Sequence, residues 1–487
     1  MNMKTKISLL SLFALFTISL FSCKNDDDTP GPSASVNDFV WKAMNLWYYW
    51  QEDVPDLADN RFSNDSEYTS FLNSQQTDEL FYNLLYDYGN TDRFSWVVED
   101  YHQLDNAFAG INQTYGMDYG LVYAGPSTNV IFGYVQYVLP NSPASSTGFH
   151  RGDIFTRING TQLTDSNYGT LLSGSSATFG MGFLQDGQLH DSDEEISIAK
   201  TQMQENPVYL TTVINIDTYK IGYLVYNGFR ANFNDELNNA IGQLQAQGIT
   251  DLVIDLRYNG GGSVQTSAYL GSMVTGQFDG QDFTRLTFNQ KMSENNSVYK
   301  FENQGKIFND DLEESGSFTL NHLNLNHLYV LTTHGSASAS EMLISCLRPY
   351  IEVTTIGTTT YGKTVGSITL YDSPSSYYTS NENVNPGHTW AMQPIVFGSR
   401  NSQDQPSPTQ GILPDVEINE INYLENLKPL GDVSEPLLEA AISEITGDHG
   451  KTTRMMTSPN AILFKTSKNL EKFSSEMYLD KGFELNP

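Results

Sequence analysis

Cysteine is nearly absent from this chain of 487 residues, which holds only Cys23 and Cys346. Two cysteines so placed exclude an intrachain disulfide framework. Basic residues are also scarce: 26 Lys and Arg stand against 57 Asp and Glu, a formal net charge of −31. Phosphates would be repelled, which argues against nucleic acid or an anionic membrane surface as partner. Cys and His never recur at zinc-ligand spacing. There is no GxxxxGK[ST] loop, and "YNGGG" at 258–262 lacks the GxGxxG pattern. The residues therefore call for no metal and no cofactor.

The amino terminus carries an address. Lys4 and Lys6 precede the apolar run "ISLLSLFALFTISLFS". That run is too short for a comfortable membrane span, and residues 1–22 read as an export signal. It ends in "LFSC", which resembles the lipobox of bacterial lipoproteins. The resemblance implies acylation of Cys23 and firm anchoring to a membrane. Lys24 rather than Asp follows, so the expected location is the outer membrane of the cell envelope. The stretch "CKNDDDTPGP" is similar to acidic surface-export tags of Bacteroidetes lipoproteins, which implies surface exposure. Residues 23–35 read as a flexible tether. Cys346, in an apolar run, reads as a small buried core residue.

The expected fold class is α/β, multidomain. Residues 36–112 have helical periodicity and many aromatics, which read as packing within a small helical domain. Short β-like runs fill 113–203. Within it, "DGQLHDSDEEIS" reads as a solvated acidic loop rather than a calcium site. From 204 to 445, buried strands such as "DLVID" alternate with helices such as "NDELNNAIGQLQAQG", ending at Gly248. That alternation implies a mostly parallel or mixed sheet. Residues 446–487 have weak periodicity and read as a peripheral or partly disordered extension.

The chemistry concentrates in "HGSASASEMLISC", residues 334–346, where Ser336, Ser338 and Ser340 alternate at a strand-to-helix junction. A serine needs a base to take its proton and donors for the developing oxyanion. A helix amino terminus supplies free amides. His334 reads as a turn residue. A lysine serves as base when desolvation leaves it neutral, and Lys363 lies in "TTTYGKTVGS" after an apparent strand.

"GSASASE" followed by "IGTTTYGK" resembles the serine peptidases of the carboxyl-terminal processing peptidase family, which use a Ser–Lys dyad. The separation of 25 residues usual in that family, counted back from Lys363, selects Ser338 as nucleophile. Ser340 is then expected to help cap the helix. "LVIDLRYNGGG" is similar to the family's glycine loop, implying structural roles for Asp255 and Arg257 and an oxyanion hole from Gly261 and Ala339 amides. "GILPDVEI" and "TDRFSWV" resemble flanking family segments. "VLPNSPASSTGFHRGDIFTRINGTQL" is similar to the core of a PDZ domain, with a peptide-binding loop expected near Tyr119, Gly120 and Leu121. Such a domain binds a peptide carboxyl terminus as an added strand.

Two departures stand out. Many relatives carry Gln where this chain has Ser367, so Ser367 is a candidate third member. Gly260 stands where relatives often have Pro. The resemblance implies a ClpP/crotonase-like peptidase domain and a serine endopeptidase acting on unfolded or C-terminally exposed polypeptides. The alternative is a catalytically inert peptide-binding lipoprotein on a peptidase scaffold.

Overall fold

A computed structural model describes residues 32–448, 462–470 and 475–480. The expected export signal, Cys23 and most of the tether lie outside the described residues. Among the described residues, no helix is long and apolar enough to cross a membrane.

A mixed sheet forms the centre of the larger unit. Its strands run in the order Val208–Ile216, Tyr219–Tyr226, Asp251–Asp255, His327–Thr332, Glu352–Gly357 and Val416–Glu417. All neighbours are parallel except the first, antiparallel pair. The inner strands are apolar on both faces because both faces are covered. The helices Asn234–Gln247, Val264–Thr275 and Ala339–Leu347 supply Leu237, Leu270 and Leu343 to one core; Pro436–Thr446 supplies Leu437 and Leu438 to the other. The first of these helices has Asp235 and Glu236 in its first turn and ends on Gly248 at φ 65°, as its sequence predicts.

The helical expectation for 36–112 holds only in part. Helices span Pro32–Trp47, Asp65–Leu72 and Thr77–Asn83, with Tyr101–Phe108 beyond an extended stretch, and Phe39, Trp47, Tyr48 and Phe81 are buried in the same core as the central sheet. Between the third and fourth of these the chain turns extended. Asp92 accepts the Phe94 and Ser95 amides, which fixes a local turn ahead of the next strand. Trp96–Val98 follows as a strand paired with Ala391–Gln393.

A smaller antiparallel unit comprises Met117–Tyr123, Ile131–Val138, Ile154–Ile158, Ser176–Gln185 and Gln188–Ala199, paired in that order. Two expectations are corrected here. Tyr119, Gly120 and Leu121 lie within the strand Met117–Tyr123, not in a loop. Tyr119 and Leu121 are buried, and a Cβ on Gly120 would meet the Tyr134 ring at 2.3 Å. The acidic stretch is a hairpin strand: Asp186 and Gly187 both take positive φ, the two-residue turn that suits strand twist. Its exposed charges protect a sheet edge.

The expectation of a peripheral carboxyl-terminal extension also needs correction. Leu463–Thr466 pairs antiparallel with Met117–Tyr123, adding a strand to the smaller unit. Met477–Tyr478 lies between Gly262–Ser263 and Val365–Ser367, parallel to both, and is buried. The segment is short and its pattern irregular because its partners are neighbouring backbones rather than its own turns.

Candidate active site

Three alternating serines at the carboxyl end of His327–Thr332 have three different fates. Ser336 Oγ donates to the Leu256 carbonyl at 2.8 Å. Ser340 Oγ donates to the Asn259 carbonyl at 2.9 Å, so it staples the glycine loop and does not cap the helix. Ser338 is the residue at the N-cap position of Ala339–Leu347, and its buried Oγ has no hydrogen-bond partner. Two serines thus sew the turn to the 255–262 loop and leave the third hydroxyl unspent.

Ser338 sits at φ 63° and ψ −114°. A side chain in this region carries about 1–3 kcal/mol of strain, which the surrounding structure must hold in place. Glu341 does much of the holding. Its carboxylate accepts the amides of Ser338 at 2.9 Å, Gly362 at 2.7 Å and Lys363 at 2.9 Å, and the Thr360 hydroxyl. Burial pushes the Glu341 carboxyl up, and these donors oppose the shift. One buried carboxylate therefore joins the serine turn to the lysine loop.

Lys363 is fully buried. Its Nζ donates to the Ser475 carbonyl at 2.7 Å and pairs with Glu476 Oε2 at 3.3 Å. The Phe94 ring lies 5.0 Å away, and Arg93 donates to the Gly362 carbonyl. Ser367 is buried close by, but its hydroxyl turns to Glu476 Oε2 at 3.4 Å and the Met477 carbonyl at 3.3 Å. Ser367 thus shares a carboxylate with Lys363.

The glycine loop approaches the serine closely. A Cβ on Gly261 would lie 2.7 Å from Ser338 Cβ and 2.4 Å from the Glu476 carbonyl oxygen, and φ there is 111°. Only glycine fits. Its N–H, expected in the oxyanion hole, donates to Asn259 Oδ1 at 2.9 Å; the Gly262 N–H donates to the Glu476 carbonyl at 2.6 Å. Ala339 supplies the first amide of its helix, which has no intrahelical acceptor.

Asp255 and Arg257 do have structural positions. Fully buried Arg257 pairs with Asp255, Glu420 and Glu435 at 2.7–2.9 Å. Arg151, from the smaller unit, joins the same Glu420 and donates to the Tyr258 hydroxyl. Between the units lies a cavity of about 400 Å³, reaching from Tyr134 past Arg257 to Tyr361 and bounded by Leu463 and Ser475. Cys346 is buried, which pushes its thiol up to about 12 and leaves it inert.

The arrangement offers a strained, desolvated hydroxyl, a buried amine on the adjoining loop and helix-terminal amides, which is what acyl transfer to serine needs. Glu341, Phe94, Trp96 and Glu476 were missed as site residues. Phe94 and Trp96 stand in "TDRFSWV", which carried a resemblance without a role. Glu476 had no local signal.

The comparisons agree with this geometry. The model of peptidase family S41 matches residues 220–418, and that of the peptidase S41 N-terminal domain matches 35–96. The chain is 25% identical over 281 residues to a carboxyl-terminal-processing protease of Picosynechococcus, covering 54% of this chain and 62% of the relative. It is 25% identical over 236 residues to a chloroplastic C-terminal processing peptidase of Tetradesmus obliquus, covering 46% of each. The match thus spans between about half and three-fifths of these relatives' length. A crystal structure of a candidate S41 protease from Bacteroides fragilis superposes with a TM-score of 0.66 at 26% identity, over 84% of this chain and 97% of that one. The chain belongs to peptidase family S41.

Proposed function

We propose that this chain is a serine-type endopeptidase that cleaves unfolded or C-terminally exposed polypeptides. Ser338 attacks the scissile carbonyl. Lys363, as the free amine, takes the Ser338 proton and delivers it to the leaving amine. The carbonyl carbon–nitrogen bond breaks, an ester to Ser338 remains, and water hydrolyses it. The Ala339 amide holds the oxyanion, joined by the Gly261 amide when it turns from Asn259 Oδ1. In this reading the smaller unit is PDZ-like and takes a peptide along Met117–Tyr123. Cys23 is acylated, and the mature protein is an outer-membrane lipoprotein of the cell envelope.

The observation that carries the reading is the single carboxylate, Glu341, holding the amides of both Ser338 and Lys363. The test is digestion of an unstructured protein by a soluble form starting at Lys24, beside Ser338→Ala and Ser340→Ala. Cleavage lost in Ser338→Ala and retained in Ser340→Ala is the expected result; equal cleavage by all three removes Ser338 from the mechanism.

One observation favours the rival, an inert peptide-binding lipoprotein: Lys363 Nζ is bonded to Ser475 and Glu476, and Ser338 Oγ has no partner. Cleavage in the same assay decides between the two.

A further inference from the structure

We propose that residues 462–470 and 475–480 are ligands of the chain's own two peptide grooves, so that the protein rests with its base engaged and a polypeptide substrate must displace them. The inference rests on the reading of Ser338 and Lys363 as nucleophile and base.

Three observations converge. The first is the sheet. Met477–Tyr478 is inserted between two strands that belong to the site, Gly262–Ser263 and Val365–Ser367, and the Gly262 amide holds the Glu476 carbonyl. An extended peptide added to open strand edges is a general mode of peptide binding: backbone hydrogen bonds give affinity and side-chain pockets give selectivity. Residues 475–480 have the form of a bound peptide that is covalently part of the enzyme.

The second observation is chemical. Glu476 pairs with Lys363 and also accepts from Trp96 Nε1 at 3.0 Å. An ammonium bound to a carboxylate and a carbonyl has no lone pair to offer Ser338, and Ser338 Oγ is indeed unpartnered. Purely structural strands would fill the groove without engaging the one buried amine in the site. This segment brings an acid to it.

The third observation lies in the other unit. Leu463–Thr466 pairs along Met117–Tyr123, and the Phe464 ring packs on Tyr123 and on Tyr168 of the helix Tyr168–Leu172, with ring centroids 5.1 and 5.2 Å apart. The Tyr119 amide donates to Ser467 Oγ. Strand pairing on one side and an aromatic anchor against a helix on the other describe an occupied peptide groove. Both grooves that a substrate would use are thus filled by two carboxyl-terminal segments of the chain itself. Tethering gives these segments a high effective concentration, so modest contacts suffice to keep them docked.

The test uses the full chain with the substitutions Phe464→Ala and Glu476→Gln together. The probe is a fluorescein-labelled peptide with the sequence of residues 462–480, and binding is read by anisotropy beside cleavage of an unstructured protein. The double variant is expected to bind the probe where the unmodified chain does not, and to cleave at least tenfold faster. No probe binding with an unchanged cleavage rate overturns the inference and leaves the peptidase reading intact. Probe binding with no cleavage by either protein supports groove occupancy and overturns the peptidase reading. If the double variant does not fold, Glu476→Gln alone decides. It keeps the strand and removes only the charge opposite Lys363, so a several-fold faster rate supports the inference and an unchanged or slower rate overturns it.

Discussion

Ser338 and Lys363 present their backbone amides to one oxygen, Glu341 Oε2, each at 2.9 Å. Two loops separated in sequence are thereby joined through one buried side chain. The other oxygen, Oε1, takes the Gly362 amide and the Thr360 hydroxyl. Glu341→Gln must turn an NH2 group toward donors on one side or the other. Either two buried amides, or one amide and the Thr360 hydroxyl, then lose their acceptor, at about 1–3 kcal/mol each. Stability is expected to fall by about 3 kcal/mol in denaturant titration. Small displacements of a reacting group lower kcat by about 100-fold, and that is the expected loss, with KM little changed. A wild-type kcat would remove Glu341 as a positioning residue.

Ser338 also predicts a conflict between activity and stability. Its φ of 63° places a Cβ where glycine alone is at ease. Ser338→Ala and Ser338→Gly both delete the hydroxyl, so both are expected to be inactive. They differ in strain: alanine keeps it and glycine releases it, against a smaller entropic penalty in the unfolded chain. The glycine variant is expected to be the more stable by about 1 kcal/mol, seen as a higher Tm. A glycine variant less stable than the alanine one would show that the turn is not strained.

The buried network around Glu420 predicts acid sensitivity. Burial alone would raise the Glu420 carboxyl, but Arg151 and Arg257 outweigh it and hold the group at about 2. A carboxyl depressed in the folded state contributes stability that is complete above its ordinary range near 4.5 and is lost as pH falls toward 2. Unfolding free energy should therefore decline between pH 4.5 and 2. Glu420→Gln should flatten that decline and lower stability at pH 7 by about 3–5 kcal/mol, because Arg257 is left partly unpaired. An unaltered acid limb in the variant would assign the sensitivity to other carboxyls.

Much of the site was legible because it is local. "SASASE" places its turn and its glutamate within one helical turn, and "DLVIDLRYNGGG" is a buried strand followed by glycines that permit close approach. The alternation of strands and helices likewise carried the central sheet and Gly248 as a helix end. What was not legible depends on partners distant in sequence. The PDZ resemblance implied a loop near Tyr119, Gly120 and Leu121, yet they lie in a strand paired with both Ile131–Val138 and the 463–466 backbone. Glu476 stands in a stretch without periodicity, and its place opposite Lys363 follows from inserted strand pairing that no spacing rule encodes. Ser340 suits a cap by residue type, but the Asn259 carbonyl is the acceptor it meets.

Asp480 makes docking of the carboxyl-terminal segment depend on pH. The residue is part-buried, its carboxyl accepts from Ser263 Oγ at 2.9 Å, and its buried Oδ1 has no hydrogen-bond partner. Burial pushes it up from 3.8 to about 7, and the Ser263 hydrogen bond and the charge of Lys306 only partly oppose this. Tyr269, Tyr299 and Tyr478 also face it and stay neutral in this range. A carboxyl raised in the docked state binds more protons there than when released. Docking is therefore strongest below the ordinary carboxyl range and weakens as pH climbs from about 4 to about 7, with no further loss above. Hydrogen exchange of the Gly262 amide, corrected for its intrinsic rate, is expected to quicken relative to the central strand Asp251–Asp255 between pH 5 and pH 8. Asp480→Asn keeps a neutral side chain at every pH and should abolish that difference. Equal protection of Gly262 at both pH values in the unmodified chain would show that Asp480 ionises without loosening the segment.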